Sequence, residues 1–132
     1  MVTDDFQKII DLAIDVNGAD GGEKTIIRGC NIISKKIKAN FIFVGNKSKI
    51  QPIIDNCEHL IGSKIIDTPF YIKSNEKGSE ALRTGKNSSM RIAIDLVKEG
   101  KANAIISAGN TGALLSISYI VLRTISGISR PA

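Results

Sequence analysis

The feature that most narrows the folds open to this chain is a repeated pairing. A short apolar run is followed, across a polar or glycine-rich turn, by a longer segment of helical pattern. "DLAIDVNG" (residues 11–18) is a compact apolar run ending in turn residues. "GGEKTIIRGCNIISKKIK" comes next, with Ile26, Cys30, Ile33 and Ile37 at helical spacing. "FIFVG" (41–45) is a second strand-like run, and "NKSKIQPIIDNC" reads as helix with Pro52 in its first two turns. "SKIIDT" is a third strand candidate. Residues 70–78 read as loop, with a helical turn expected from Ser79 that carries Ala81 and Leu82.

The clearest helix spans 89–99. Asn87 or Ser88 offers the N-cap, Met90, Ala93, Ile94 and Val97 make an apolar stripe, and Gly100 supplies the stop. "NAIIS" is a fourth strand, followed by a glycine turn and a helix over 110–122. That last helix is apolar nearly all round, which predicts burial between a sheet and another layer. Such β-α repeats predict an α/β fold, with a mostly parallel sheet and helices on both faces.

Composition removes several functions. Of 132 residues, 42% are hydrophobic and 23% charged, as in ordinary globular proteins. Aromatics are only 5%, with no Trp, so platforms for stacking nucleic acid are not expected. The net charge of +5 favours an anionic partner, but the basic residues are scattered. Lys35, Lys36 and Lys38 read as a solvated helix end. Cys30, Cys57 and His59 make neither a disulfide framework nor a metal site, so no metal is expected. The opening "MVTDDFQK" has no apolar core and is not a secretory signal. The longest apolar run, 113–122, is about half of what a membrane span needs. Together these point to the reducing cytoplasm.

In a parallel sheet, ligands bind outside the carboxyl ends of the strands. Two junctions there are polar and flexible: "DVNGADGG" (15–22) and "SAGNTGA" (107–113). Glycines let backbone N–H groups approach a ligand, and a helix start adds free donors and a positive dipole end. Asn110 and Thr111 can add side-chain donors. "GNTG" matches neither a Walker loop nor GxGxxG, so an oxyanion cradle and a tight structural turn both fit. In "RTGKNSSMR" (83–91), Arg91 falls in the first turn of a helix, an unfavourable place unless it has a partner.

Those residues carry a resemblance. "EALRTGKNSSMRIAIDLVKEGKANAIISAGNTGAL", continuing to "VLRTISGISRPA", is similar to the bacterial phosphate acyltransferases, the acyl-ACP:phosphate transacylases. "LAIDVNGAD" resembles their opening strand and turn, and "FIFVGNKSKI" their second strand and following helix. The resemblance spans about residues 11–132 and implies a three-layer α/β/α sandwich like the isocitrate and isopropylmalate dehydrogenases. It implies transfer of a fatty acyl group from acyl carrier protein to inorganic phosphate, giving acyl phosphate for phospholipid synthesis. No metal or organic cofactor is required, the intact family is expected to be a homodimer, and peripheral membrane association is allowed. Ser107, Gly109, Asn110, Thr111 and Gly112 would hold phosphate. Ser88 and Ser89 match the family's paired serines, Asp15, Gly18 and Asp20 its first turn, and Arg130 the arginine of "RPA". The resemblance does not single out a catalytic residue or general base.

Departures from the family pattern carry expectations of their own. Asn17-Gly18-Ala19-Asp20 stands for Met-Gly-Gly-Asp, so a positive φ at Ala19 would be strained. Gly78 replaces a usual Pro, which would loosen the loop before it, and residues 65–78 lack a usual His. Family members are considerably longer, so residues 1–132 are expected to be the N-terminal part of such a domain, incomplete or inactive alone. That expectation carries an exposed apolar surface with it. A non-catalytic remnant with anion affinity, and a CoA-dependent acetyl- or butyryltransferase, are the alternatives.

Overall fold

The computed structural model describes residues 8–131; the opening segment without a signal pattern and Ala132 of Arg-Pro-Ala lie outside them. Four strands, β1 (Ile10–Asp15), β2 (Ala39–Gly45), β3 (Lys64–Asp67) and β4 (Ala104–Ser107), form one sheet in the order β3-β2-β1-β4. Every pairing is parallel. The helices are α1 (Gly22–Ser34), α2 (Lys47–Asp55), α3 (Gly78–Thr84), α4 (Ser89–Lys98) and α5 (Thr111–Leu122).

Strand alternation builds the layers. Leu12 and Ile14 of β1, Val16 just beyond it, and Phe41 and Phe43 of β2 face α1 and α2, meeting Ile27, Cys30, Ile50 and Ile54. Ala13, Ile42 and Val44 point the other way, onto Ala93 and Leu96 of α4. The result is helices on both faces of a parallel sheet. α5 does not enter the sheet layer: Ala113 and Ile117 pack with Ala81 of α3 and with Met90 and Ile94 of α4. Its far side is open, with Leu115, Tyr119 and Ile120 at 45%, 43% and 50% exposure. The sandwiched helix expected from its all-round apolarity is therefore covered on one side only.

Other expectations shift for local reasons. In α1 the buried face is Ile27 and Cys30, whereas Ile33 is exposed and Ile37 lies beyond the helix. α1 ends at Ser34, so the three lysines follow the helix and remain exposed rather than completing its last turn. Ser88, not Asn87, caps α4, its Oγ accepting from Arg91 N–H at 3.2 Å. Arg91 does find a partner, Asp95, at 3.0 Å. Positive φ falls on Gly18 (79°) and Gly22 (74°), so Ala19 bears no such strain.

The sheet order makes a switch point. The chain steps outward from β1 to β2 to β3, then crosses back to place β4 on the opposite side of β1. Asp15 and Ser107 are register partners at the carboxyl ends of β1 and β4, beside that reversal. Open α/β sheets bind ligands at such a crevice.

Gly78 opens α3 at the point where that helix meets α5. A Cβ there would collide with Ser116 Oγ and lie 2.9 Å from the Gly112 carbonyl oxygen, so the missing side chain lets α3 close on α5. Gly78→Ala is expected to cost about 1–3 kcal/mol through overpacking. Urea unfolding checks this, and an unchanged midpoint would contradict the close approach.

Candidate functional site

At the switch point the chain buries a carboxylate. Asp15 is 2% exposed. Its Oδ1 accepts from Ser89 Oγ at 2.5 Å and its Oδ2 from Ser107 Oγ at 2.6 Å. Ser107 Oγ in turn accepts the Gly109 N–H at 3.2 Å. Ser89 opens α4, so the carboxylate meets the positive end of that helix dipole. Gly109 packs beside this group: a Cβ there would be in ordinary van der Waals contact, 3.4 Å from Met90 Cε and 3.6 Å from Asp15 Oδ2.

Burial is the largest influence on Asp15 and raises its pKa above the ordinary 3.8. The hydrogen bonds from Ser107, Ser89 and the Asn17 backbone oppose that rise without cancelling it. Burial also pushes the Cys30 thiol up to about 11, which leaves it a poor nucleophile at neutral pH.

The other sequence-predicted residues separate into groups. Ser88 is a structural cap: besides accepting from Arg91, its Oγ donates to the Gly85 carbonyl at 2.6 Å. Asn110 caps α5, accepting from Ala113 N–H at 2.9 Å. Its amide donates to the carbonyls of Lys73 (2.9 Å), Ser74 (3.4 Å) and Glu76 (2.8 Å). Those donors are engaged by the protein's own loop, unlike the free donors that the sequence suggests. Thr111 and Gly112 open α5 and are exposed, and their amides lack intrahelical acceptors. Gly18 and Asp20 line a separate cleft. Arg130 is exposed in the segment after α5 and does not line that cleft.

The cleft, about 640 Å³, is bounded by the β1–α1 turn, the start of α2 and the 69–75 segment. Lys49, Lys73, Tyr71 and Asn75 line it, none of them singled out by sequence. Asn17, also unforeseen, ties its walls together. The Asn17 amide donates to the Thr68 carbonyl at 3.2 Å and the Phe70 carbonyl at 3.5 Å, and its Oδ1 accepts from Asn46 N–H at 3.3 Å. The asparagine next to Gly18 was the available signal, since buried amides at turns commonly satisfy backbone groups. Ser89 N–H holds the Phe70 carbonyl at 2.9 Å, so the segment over 68–77 is a strap between the cleft and the Asp15 group.

Among the described residues, no set of three or more His, Cys, Asp or Glu could hold a metal. Nor is any described helix long and apolar enough to cross a membrane.

Fold and site together define a parallel α/β protein with a buried carboxylate–serine group at its topological switch point. The chain belongs to the family described as "Fatty acid synthesis protein", whose pattern matches residues 10–132. It is 41% identical to a phosphate acyltransferase of Rhodospirillum centenum over 123 residues, covering 92% of this chain and 35% of that protein. It is 43% identical to a phosphate acyltransferase of Coxiella burnetii (strain RSA 331 / Henzerling II) over 125 residues, again covering 92% of this chain and 36% of the relative. The chain thus spans about a third of the length of these relatives. Among solved structures, the EutD phosphotransacetylase from Staphylococcus aureus shares the fold, with a TM-score of 0.63 at 15% identity. That match covers 92% of this chain and 40% of the other.

The raised pKa of Asp15 has a definite sign. A carboxyl group with a higher pKa folded than unfolded lends stability at low pH, and that stability is lost as pH rises through the folded value. Asp15→Asn, which can accept from one serine and donate to the other, is therefore expected to be more stable than the wild-type chain at pH 7. The difference should close as pH falls toward the ordinary carboxylate range. Urea unfolding across that range checks it; a variant weaker at pH 7 and recovering in acid would reverse the sign.

Proposed function

We propose that this chain is the N-terminal part of a phosphate acyltransferase that moves a fatty acyl group from acyl carrier protein to inorganic phosphate. The observation that carries this reading is the Asp15–Ser107 pair at the switch point, followed directly by the Gly109-Asn110-Thr111-Gly112 turn. In the reaction, a phosphate oxygen attacks the thioester carbonyl, the new C–O bond forms, and the C–S bond breaks to release the carrier's thiol. The product is an acyl phosphate. Such chemistry depends on holding phosphate beside the carbonyl and on donors aimed at the developing oxyanion.

In this reading the residues have different duties. The free amides of Thr111 and Gly112 and the Thr111 hydroxyl cradle phosphate at the start of α5. Ser107 borders the cradle, and Asp15 and Ser89 fix Ser107 from behind. Asn110 serves by bracing: it caps α5 and pins the strap, which keeps the turn in one shape. Gly18 and Asp20 form the rim of the neighbouring cleft, and Arg130 adds a cation from the segment after α5. The net charge of +5 suits an acidic carrier protein. A partner subunit completing the site, and a cytoplasmic setting with contact to a membrane surface, belong to the same proposal.

The chain spans about a third of its relatives, so the reading is tested in a whole enzyme. This chain replaces the matching part of the Rhodospirillum centenum protein, and acyl phosphate is measured from phosphate with either acyl carrier protein or acyl-CoA as donor. Turnover with acyl carrier protein is expected. A folded, monodisperse chimaera without turnover would make this chain a non-catalytic relative, and turnover confined to acyl-CoA would reassign the donor.

A further inference from the structure

The direction of the hydrogen bonds around Asp15 decides what Ser107 has left to offer a ligand. A carboxylate only accepts, so both serine hydroxyls spend their protons on it. Ser107 Oγ also takes the Gly109 N–H. Ser89 is sealed at 0% exposure, whereas Ser107 is only half-buried. At the end of β4, Ser107 Oγ is therefore left with one lone pair that no protein group uses and no proton to give. Gly109, with no side chain, leaves that oxygen uncovered.

We propose that Asp15, acting through Ser107, makes the β4–α5 turn select an oxyanion that carries its own proton, hydrogen phosphate, over fully ionised sulfate. This rests on the reading of that turn as the phosphate cradle. Near neutral pH phosphate keeps at least one P–OH group, which can donate to Ser107 Oγ. Sulfate has none, so its oxygens would meet the Ser107 lone pair with no proton between them. Two anions of the same shape are thereby separated by one hydrogen bond, made in one case and replaced by repulsion in the other. Asp15 is a positioning residue here: it touches neither anion and sets the direction of the Ser107 proton.

Calorimetric titration of the full chain with sodium phosphate and sodium sulfate at pH 7 tests the proposal. The wild-type chain should prefer phosphate by roughly tenfold or more, the usual weight of one hydrogen bond to a charged group. In Asp15→Asn the amide can donate to Ser107 Oγ and free its proton for the ligand. The preference should then shrink to about threefold or less, chiefly because sulfate gains, an outcome that mere loosening of the site would not produce. Ser107→Ala, which removes the selecting oxygen, should lose phosphate affinity and gain sulfate affinity, and it carries the test if Asp15→Asn does not fold. Equal binding of both anions by the wild-type chain, or an unaltered preference in the folded variants, would overturn the proposal. Binding of neither anion would overturn the cradle reading beneath it.

Discussion

A charge taken out of water organises this fold. Asp15 ends the central strand β1 at 2% exposure, and a buried carboxylate is costly unless donors surround it. Ser89 brings the start of α4 to one oxygen and Ser107 brings the end of β4 to the other. One carboxylate thus joins the sheet's switch point to the helix that crosses its second face. The turn leaving β4 passes within van der Waals reach of the carboxylate at Gly109. The cost of burying the charge is visible in the raised pKa of Asp15, which burial drives and the serine hydrogen bonds only partly oppose.

The surrounding asparagines make the site rigid. Asn17 joins the β1–α1 turn to the chain leaving β2 and to the start of the strap, and Asn110 joins the strap to α5. Polar walls in the 640 Å³ cleft and the amide-rich turn at α5 are therefore parts of one framework. A ligand in either place would meet backbone already fixed by side-chain amides, which lowers the ordering cost of binding.

Much of this was legible in the sequence because local pattern controls it. Short apolar runs became parallel strands, and Ser88, Gly100 and the apolar stripe framed α4. Asp15, Ser89 and Ser107 could each be suspected from its own motif. Their meeting could not be read, since sequence separations of 74 and 92 residues lie beyond any local pattern. Asn110 shows the opposite difficulty: an amide in a glycine turn looks like a ligand donor, and only the fold reveals the carbonyls of Lys73, Ser74 and Glu76 that engage it. Lys49, Lys73 and Tyr71 carried no motif and acquired a place only when three separate loops closed around the cleft. The apolarity of α5 predicted burial, but sequence does not say which faces have neighbours.

The proposed oxyanion site is the β4–α5 turn, beside the serine that Asp15 holds. A crystal structure of the protein with bound phosphate tests that most directly. Phosphate is expected at the first amides of α5, within hydrogen-bond distance of Thr111 N, Gly112 N and Ser107 Oγ. Phosphate held instead between Lys49 and Lys73 in the cleft, with the turn empty, would contradict it.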